Sequence, residues 1–189
     1  ANAGTYDIRL TATNAAGSNA LTKTHVLAAG SAHDYLTTVS SGTVSGDLYV
    51  NSVSPWTTAN TTTFTLPAQS VNNITWARLY VTTYSGNANS SYGATSVVAL
   101  DGTTLGTETL NVASQTNGTA YPVNDHIVKV YSDYEAVYDV KDRISSASPV
   151  VTVTDSAIAG YLFDGRIKGI TLVVAYNDSD SDVVKYIVN

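Results

Sequence analysis

Apolar and polar residues alternate with a period of two along most of this chain of 189 residues. Apolar residues nowhere recur at helical spacing for more than about two turns, and such alternation is typical of strands that bury one face. The pattern predicts an all-β protein, an antiparallel β-sandwich or jelly-roll-like fold with an N-terminal β-hairpin.

The strands are assigned from the alternating runs and the turn residues between them. The N-terminal hairpin joins Tyr6–Ala12 to Ala20–Leu27. Further strands are predicted at Gly46–Asn51, Thr61–Leu66, Ile74–Tyr84, Thr95–Leu100, Thr103–Asn111, Ile127–Tyr131, Ala136–Val140, Val150–Thr154, Ile167–Tyr176 and Val183–Val188.

Two local signals refine this assignment. Asp101-Gly102 lies between two alternating runs and predicts a type I′ hairpin turn, which needs positive φ at both residues. One helical turn is expected within Asp139–Ser146, and it ends before Pro149 because proline disfavours helix in its predecessor.

A run of small residues at 28–32 has the composition of a linker. It predicts a division of the chain into residues 1–30, the hairpin and its linker, and residues 31–189, the sandwich domain. The chain opens on Ala1 and contains no methionine, so we expect a processed product or a segment of a longer polypeptide.

Charge is scarce: the formal net charge is -6 and only 13% of residues are charged. A surface that binds nucleic acid phosphates needs many cations, so nucleic acid is excluded as an expected partner. Ser, Thr and Asn supply the polar surface instead, as in TTANTTTF at 57–64, which favours an extracellular, cell-surface protein. No apolar run reaches the roughly 20 residues that span a bilayer, so no membrane insertion is expected in this chain.

Cysteine is absent, so disulfides, thiolate metal sites and a cysteine nucleophile are excluded. Five N-glycosylation motifs are present, and each is a candidate modification site or a chance match in a Thr-rich chain. Their asparagines are Asn60, Asn73, Asn89, Asn117 and Asn177.

Three carboxylates, Asp178, Asp180 and Asp182, alternate between two predicted strands. They could join backbone carbonyls around calcium, the one cofactor considered. The segment lacks the glycine and the distal glutamate of a helix-loop-helix calcium site, and Asp-Ser runs are common in hairpin turns. A solvated turn is therefore the favoured interpretation.

Asn124-Asp125-His126 and Ser132-Asp133 bring a serine, a histidine and carboxylates into one block. No strand-turn-helix elbow presents a serine nucleophile, so no catalytic residue is assigned and the chain is not predicted to be an enzyme. We expect Asp125 to accept backbone amides at a turn. Arg78 and Arg166 are expected to form buried pairs with Asp133, Asp139 or Asp164.

Tyrosine is abundant, with 13 residues, and the two tryptophans are Trp56 and Trp76. Such rings pack well in the core and across neighbouring strands, which is the favoured interpretation. The alternative is an exposed aromatic face that binds carbohydrate.

The sequence resembles two protein families in different segments. The segment GTYDIRLTATNAAGSNALTKTHV at 4–26 resembles the last two strands of a polycystic-kidney-disease-type (PKD) domain. From about His33 the chain is similar to a domain of unknown function that follows PKD modules in surface proteins of methanogenic archaea. Four blocks carry this similarity: SGDLYV (45–50), ITWARLYV (74–81), VNDHIVKVYSDYEAVYDV (123–140) and FDGRIKGITLVVAYNDSDSD (163–182).

The resemblance implies an extracellular archaeal protein and no known activity. We expect a structural subunit of a filament, sheath or surface layer whose copies join through strand and sheet-edge contacts, since an isolated hairpin is marginal in water. The residues expected to mediate this self-assembly are Tyr6, Ile8, Leu10, Val183, Tyr186 and Val188. The alternative is an adhesin or carbohydrate-binding module, with calcium as a candidate cofactor and glycans as partners.

Overall fold

A computed structural model describes residues 4–14, 17–29, 39–87, 91–111 and 121–188. Strands account for most of this part of the chain. They are β1 (Gly4–Asn14), β2 (Gly17–Ala29), β3 (Ser40–Val44), β4 (Leu48–Val53), β5 (Ala59–Thr63), β6 (Ile74–Tyr84), β7 (Gly93–Leu100), β8 (Thr103–Asn111), β9 (Tyr121–Pro122), β10 (Ile127–Val130), β11 (Asp133–Asp139), β12 (Val150–Ala157), β13 (Arg166–Tyr176) and β14 (Val184–Val188). Short 3-10 helices occur at Ala68–Ser70 and Lys141–Arg143.

The all-β prediction is confirmed, and β6 and β8 have the predicted bounds. The helical turn expected within Asp139–Ser146 is a 3-10 turn, and the turn at Ala68–Ser70 was not predicted. Two strands were also missed. β3 has the sequence SSGTV, in which only the last residue is a large apolar one, and β9 is two residues long.

Two antiparallel sheets form the sandwich. The larger has the strand order β4-β13-β6-β11-β10-β9, and the smaller has the order β5-β12-β7-β8. The β7–β8 hairpin turns at Asp101 and Gly102, whose φ angles of 48° and 77° agree with the predicted type I′ turn.

The core lies between these sheets because one face of each strand is apolar. On β6, Ala77, Leu79 and Val81 are buried, and their cross-strand partners on β13 include Leu172 and Ile170. The smaller sheet contributes Val98 and Leu100 from β7 and Val151 and Val153 from β12. The opposite face of the larger sheet, here called the outer face, carries the alternate residues of β6.

Aromatic side chains lie on the outer face of the larger sheet as well as in the core. Trp76, Tyr80 and Tyr84 stand on it at alternate pleats of β6 and are half-buried. Tyr134 and Tyr138 of β11 pair with Thr83 and Leu79 and are buried in the core. The tyrosines are therefore divided between the two faces of the sheet.

The chain divides into two compact units, one spanning Thr43–Tyr186 and the other containing β1, β2, Gly42 and Ile187. In the second unit β1 and β2 form an antiparallel two-stranded sheet, as predicted for the hairpin. The domain boundary predicted after residue 30 stays a prediction.

The C-terminal strand differs from expectation. β14 pairs with β3 in a two-stranded sheet, so the C-terminal segment expected to join a neighbouring copy has a partner strand within its own chain. Its partner was overlooked because the SSGTV segment of β3 carries little strand signal.

Candidate functional site

The outer strands of the two large sheets differ in how they are protected against pairing with another chain. β4 (LYVNSV) and β5 (ANTTT) contain neither a charged residue nor a proline. β9 is only two residues long and includes Pro122. β8 is interrupted by a bulge opposite Val98 and Ala99. Charges, proline, bulges and short length are the usual protections, so among the strands that the structure describes in the two large sheets β4 and β5 are called the open edges.

Some side chains on these edges face solvent, whereas Tyr49 and Val53 of β4 pack against the core. Val50 of β4 is 58% exposed, and Thr61 of β5 is exposed between half-buried neighbours. Residues 54–58 connect the two strands, so the open edges follow one another in the chain.

The residues predicted to mediate self-assembly have different positions. The backbones of Tyr6, Ile8 and Leu10 pair with Leu27, Lys23 and Leu21 of β2, with a register shift between Tyr6 and Ile8. At the other end of the chain, Val183 is exposed and the Val188 carbonyl accepts a hydrogen bond from Val39 N at 2.7 Å.

Tyr186 is buried, and its ring centroid lies 6.3 Å from that of Trp76. This packing within the chain engages Tyr186, whereas its neighbour Ile187 is 67% exposed. Ile187 was not among the predicted residues, although alternation along β14 would have placed it opposite Tyr186.

The Asp-Ser segment adopts consecutive Asx turns. The Asp178 carboxylate accepts the amide of Asp180 at 3.2 Å, and the Asp180 carboxylate accepts the amide of Asp182 at 2.8 Å. Among the residues that the structure describes, no three His, Cys, Asp or Glu side chains form a group that could hold a metal ion. Two of the carboxylates accept amides of their own loop, and calcium binding here stays a prediction.

The candidate glycosylation sites differ in how their side chains are engaged. Asn177 Oδ1 accepts the Ser45 amide at 2.9 Å, and Asn60 Oδ1 accepts the Thr62 hydroxyl at 2.5 Å. Asn73 is exposed. Asn89 and Asn117 lie outside the described residues. Glycosylation at all five stays a prediction.

His126 belongs to a polar cluster that joins the two large sheets. Its Nε2 lies 2.9 Å from Glu108 Oε1, and its Nδ1 lies 2.6 Å from Asp125 Oδ1. The Tyr138 hydroxyl donates to the same Glu108 oxygen at 3.1 Å. Glu108 belongs to β8 of the smaller sheet and Tyr138 to β11 of the larger one, so the carboxylate ties the sheets together.

These contacts shift the proton equilibria of the cluster. Hydrogen bonds to Glu108 and then to Asp125 raise the pKa of His126. The hydrogen bond to His126 lowers the pKa of Asp125. Burial, followed by the nearby Glu108 carboxylate, raises the pKa of Tyr138. The cluster therefore favours a protonated imidazole between two carboxylates.

This arrangement differs from a serine-histidine-aspartate triad. Both imidazole nitrogens of His126 face carboxylates, which leaves neither nitrogen to take a proton from Ser132. Asn124, not Asp125, accepts the turn amides, those of His126 at 3.0 Å and Ile127 at 2.8 Å. The Asp125 carboxylate pairs first with the adjacent imidazole, and a hydrogen bond from its own amide contributes less to its lowered pKa.

Gly106 provides the space for the Glu108–Tyr138 contact. A Cβ atom at this position would lie 2.8 Å from the Tyr138 hydroxyl and would also overlap the Glu108 carboxylate. The register shift in β8 brings this glycine to the point where the carboxylate turns inward.

Asp155 is the second buried acid. It is 4% exposed on the inward face of β12, and neither carboxylate oxygen has a hydrogen-bond partner among the described residues. Burial raises its pKa to about 6, and the Ser96 hydroxyl across the strand pair offsets only part of this effect. The predicted strand ended at Thr154, so Asp155, which continues the buried alternation of Val151 and Val153, was not assigned to it.

The predicted arginine pairs form, but they are not buried. Arg78 pairs with Asp139, whose side chain is 64% exposed, and Arg166 pairs with Asp164 at 2.7 Å. Asp133 instead binds Lys168, with Nζ 2.5 Å from Oδ1. These pairs stand at the surface because the even-numbered residues of β6 and their strand partners form the outer face.

Within the described residues, no helix has the length and apolarity needed to cross a bilayer. The model of a family described as protein of unknown function (DUF3344) matches residues 29–189. None of the curated proteins matches the chain. The family match covers the region predicted to be a surface-protein domain of unknown function, whereas the archaeal source and the PKD-like beginning stay predictions. The chain belongs to the DUF3344 family.

Proposed function

We propose that this protein is a structural subunit of an extracellular filament, sheath or surface layer, and that its copies join through sheet edges. The observation that carries the proposal is the pair of open edges, β4 and β5, which have neither charge nor proline. An unprotected edge offers a row of unpaired N–H and C=O groups to a strand of another molecule.

The two-stranded sheets add further edges, although β1, β2 and β14 each carry a charged residue. β1 and β2 pair only with each other among the described residues, as do β3 and β14. A two-stranded hairpin is marginal in water unless something packs on it or pairs with it, so pairing with a second copy would stabilise it. A head-to-tail contact of this type yields rings or helical filaments, depending on the rotation between subunits.

The surface chemistry supports a location outside the cell. Only 13% of residues are charged, and the open edge β5 consists of one alanine, one asparagine and three threonines. The similarity of four sequence blocks to surface proteins of methanogenic archaea points the same way. A sheet edge hydrated by uncharged groups loses less solvation energy on pairing than a charged one does.

The test places a charge on each open edge. The variant Val50→Lys/Thr61→Lys is compared with the wild type by size-exclusion chromatography with light scattering and by negative-stain microscopy over a concentration series. We expect the wild type to form higher-order assemblies and the variant to remain monomeric, because lysine opposes edge-to-edge pairing.

Leu162→Lys is the matched control. Leu162 is 57% exposed in the β12–β13 connection, so this change replaces an exposed apolar side chain by lysine away from β4 and β5. We expect the control to assemble like the wild type. A wild-type protein that stays monomeric at every concentration, or assembly that persists in the double variant, would refute the proposal.

A further inference from the structure

Trp56 is an exposed tryptophan held in a strained backbone conformation. The residue is 60% exposed, and its backbone φ angle is +54°. A bulky residue in the left-handed region is strained, and such strain persists only where the surroundings impose it. Here the Trp56 amide donates to the Ile167 carbonyl at 2.9 Å, and the Ile167 amide donates to the Thr57 carbonyl at 2.8 Å. The strained backbone therefore holds the indole in solvent, where the indole contributes little to the core.

Lys168 fixes the surroundings of this indole. The register of β13 against β6 shifts between Ile167 and Gly169, so Lys168 is the extra residue of a bulge. Bulges of this kind redirect a side chain. The Lys168 ammonium lies 5.6 Å from the centroid of the Trp56 ring and 4.9 Å from that of Tyr84, while it also binds Asp133.

A row of polar groups borders the two rings. Tyr84 is the cross-strand partner of Arg166 on one side and of Asp133 on the other, so the three side chains stand next to one another on the outer face. Each charge is paired, Arg166 with Asp164 and Lys168 with Asp133. The cations and anions balance, and the row offers both donors and acceptors to a ligand that carries no net charge.

The other tryptophan lacks these properties. The Arg78 guanidinium lies 5.7 Å from the Trp76 ring centroid, and the Tyr186 ring packs at 6.3 Å. Trp76 is therefore engaged by its own chain, and the sequence could not distinguish the two indoles. A cation lies over each indole, Lys168 over Trp56 and Arg78 over Trp76. The two differ because Trp56 is 60% exposed, whereas Trp76 is half-buried and packs on Tyr186.

We propose that Trp56, Tyr84, Lys168 and Asp133 form a binding site for a neutral pyranose sugar. The C–H face of the sugar ring stacks on the indole, and its hydroxyls bond to the Asp133 carboxylate and the Lys168 ammonium. Apolar rings with a few fixed polar groups are the usual composition of a small-ligand site. A nucleic acid base would also stack on the indole, but its phosphates would meet Asp133 and Asp164 on a chain of net charge -6.

The test uses an array of neutral oligosaccharides built from glucose, galactose, mannose and N-acetylglucosamine units. The oligosaccharide bound most strongly is then titrated calorimetrically into the wild type, Trp56→Ala and Lys168→Met. We expect Trp56→Ala to weaken binding by roughly tenfold or more, as truncation of a central tryptophan does at a binding surface. Lys168→Met keeps the apolar stem and removes the donor, so we expect a smaller but measurable loss.

Tyr161→Ala is the control, because it removes an exposed ring from the β12–β13 connection and leaves the Trp56 site intact. Near-ultraviolet circular dichroism checks that every variant is folded. No binding to any neutral sugar, binding that Trp56→Ala leaves unchanged, or binding restricted to charged glycans or to oligonucleotides would each overturn the proposal. Trp56→Ala should still assemble and Val50→Lys/Thr61→Lys should still bind sugar, so this proposal and the proposed function can fail separately.

Discussion

The buried carboxyl of Asp155 should make the protein less stable above pH 6 than below pH 4. Burial raises its folded-state pKa to about 6 from an ordinary value of 3.8. Between these two values the folded chain keeps a proton that the unfolded chain has released. Stability is therefore greatest with the acid protonated, and it falls as the pH rises from about 4 to about 6. The pKa difference of 2.2, from 6 minus 3.8, corresponds to about 3 kcal/mol at about 1.36 kcal/mol per pH unit.

The informative perturbation is Asp155→Asn, which keeps the shape of the side chain and cannot ionise. We expect the variant and the wild type to have similar free energies of unfolding at pH 4. At pH 8 the variant should be the more stable by up to about 3 kcal/mol, because only the wild type holds a buried charge. Relaxation of the protein around the charge would reduce this difference.

The measurement is urea unfolding followed by tryptophan fluorescence at a series of pH values between 4 and 8. Groups common to both proteins cancel in the difference between them. Asp182→Asn removes a carboxylate from an exposed turn and controls for the change in net charge. A difference between Asp155→Asn and the wild type that stays constant across the series would refute the reasoning, as would a variant that is less stable at pH 8.

Three further predictions concern the polar cluster and the Asp-Ser turn. Gly106→Ala should lower the free energy of unfolding by about 1–3 kcal/mol, because the new methyl group meets the Glu108 carboxylate and the Tyr138 hydroxyl; an unchanged urea midpoint would contradict this. His126→Gln should destabilise the protein more at pH 5 than at pH 9. The pKa of His126 is raised in the folded state, so the protonated imidazole contributes stability below the ordinary histidine pKa, and this contribution is lost as the pH rises through the folded-state pKa. An equal loss of unfolding free energy at both pH values would argue against it. Millimolar calcium should leave the melting temperature of the wild type and of Asp180→Ala unchanged, because the Asp180 carboxylate accepts an amide of its own loop; a calcium-dependent rise seen only in the wild type would restore the metal interpretation.

Local pattern predicted individual strands well where one face is consistently apolar. In β6 the odd-numbered residues Ala77, Leu79 and Val81 alternate with polar or aromatic ones, and the predicted bounds of this strand are those of the structure. The Asp101-Gly102 turn was predictable for an equally local reason, the positive φ that its geometry needs. β3 was missed because the small residues in SSGTV give no such signal.

The candidate sites were less predictable, because they depend on which strands become neighbours. Glu108 and His126 are separated by 18 residues, and their contact forms only when the two sheets pack. Trp56 and Trp76 look equivalent in the sequence, yet one is exposed and the other packs on Tyr186. An open edge is likewise a property of strand order and not of the strand itself.

The sequence by itself determined that this chain forms strands, where most of them run and where one tight turn occurs, because these features follow from the period of side chains and from local backbone preferences. The tertiary structure alone decided that β13 lies between β4 and β6, that β14 pairs with β3, and that Glu108 meets His126 and Tyr138. Hydrogen bonds between strands are made by the backbone, which is the same for every residue type except proline, so the choice of partner follows from how the whole set of apolar faces is buried together.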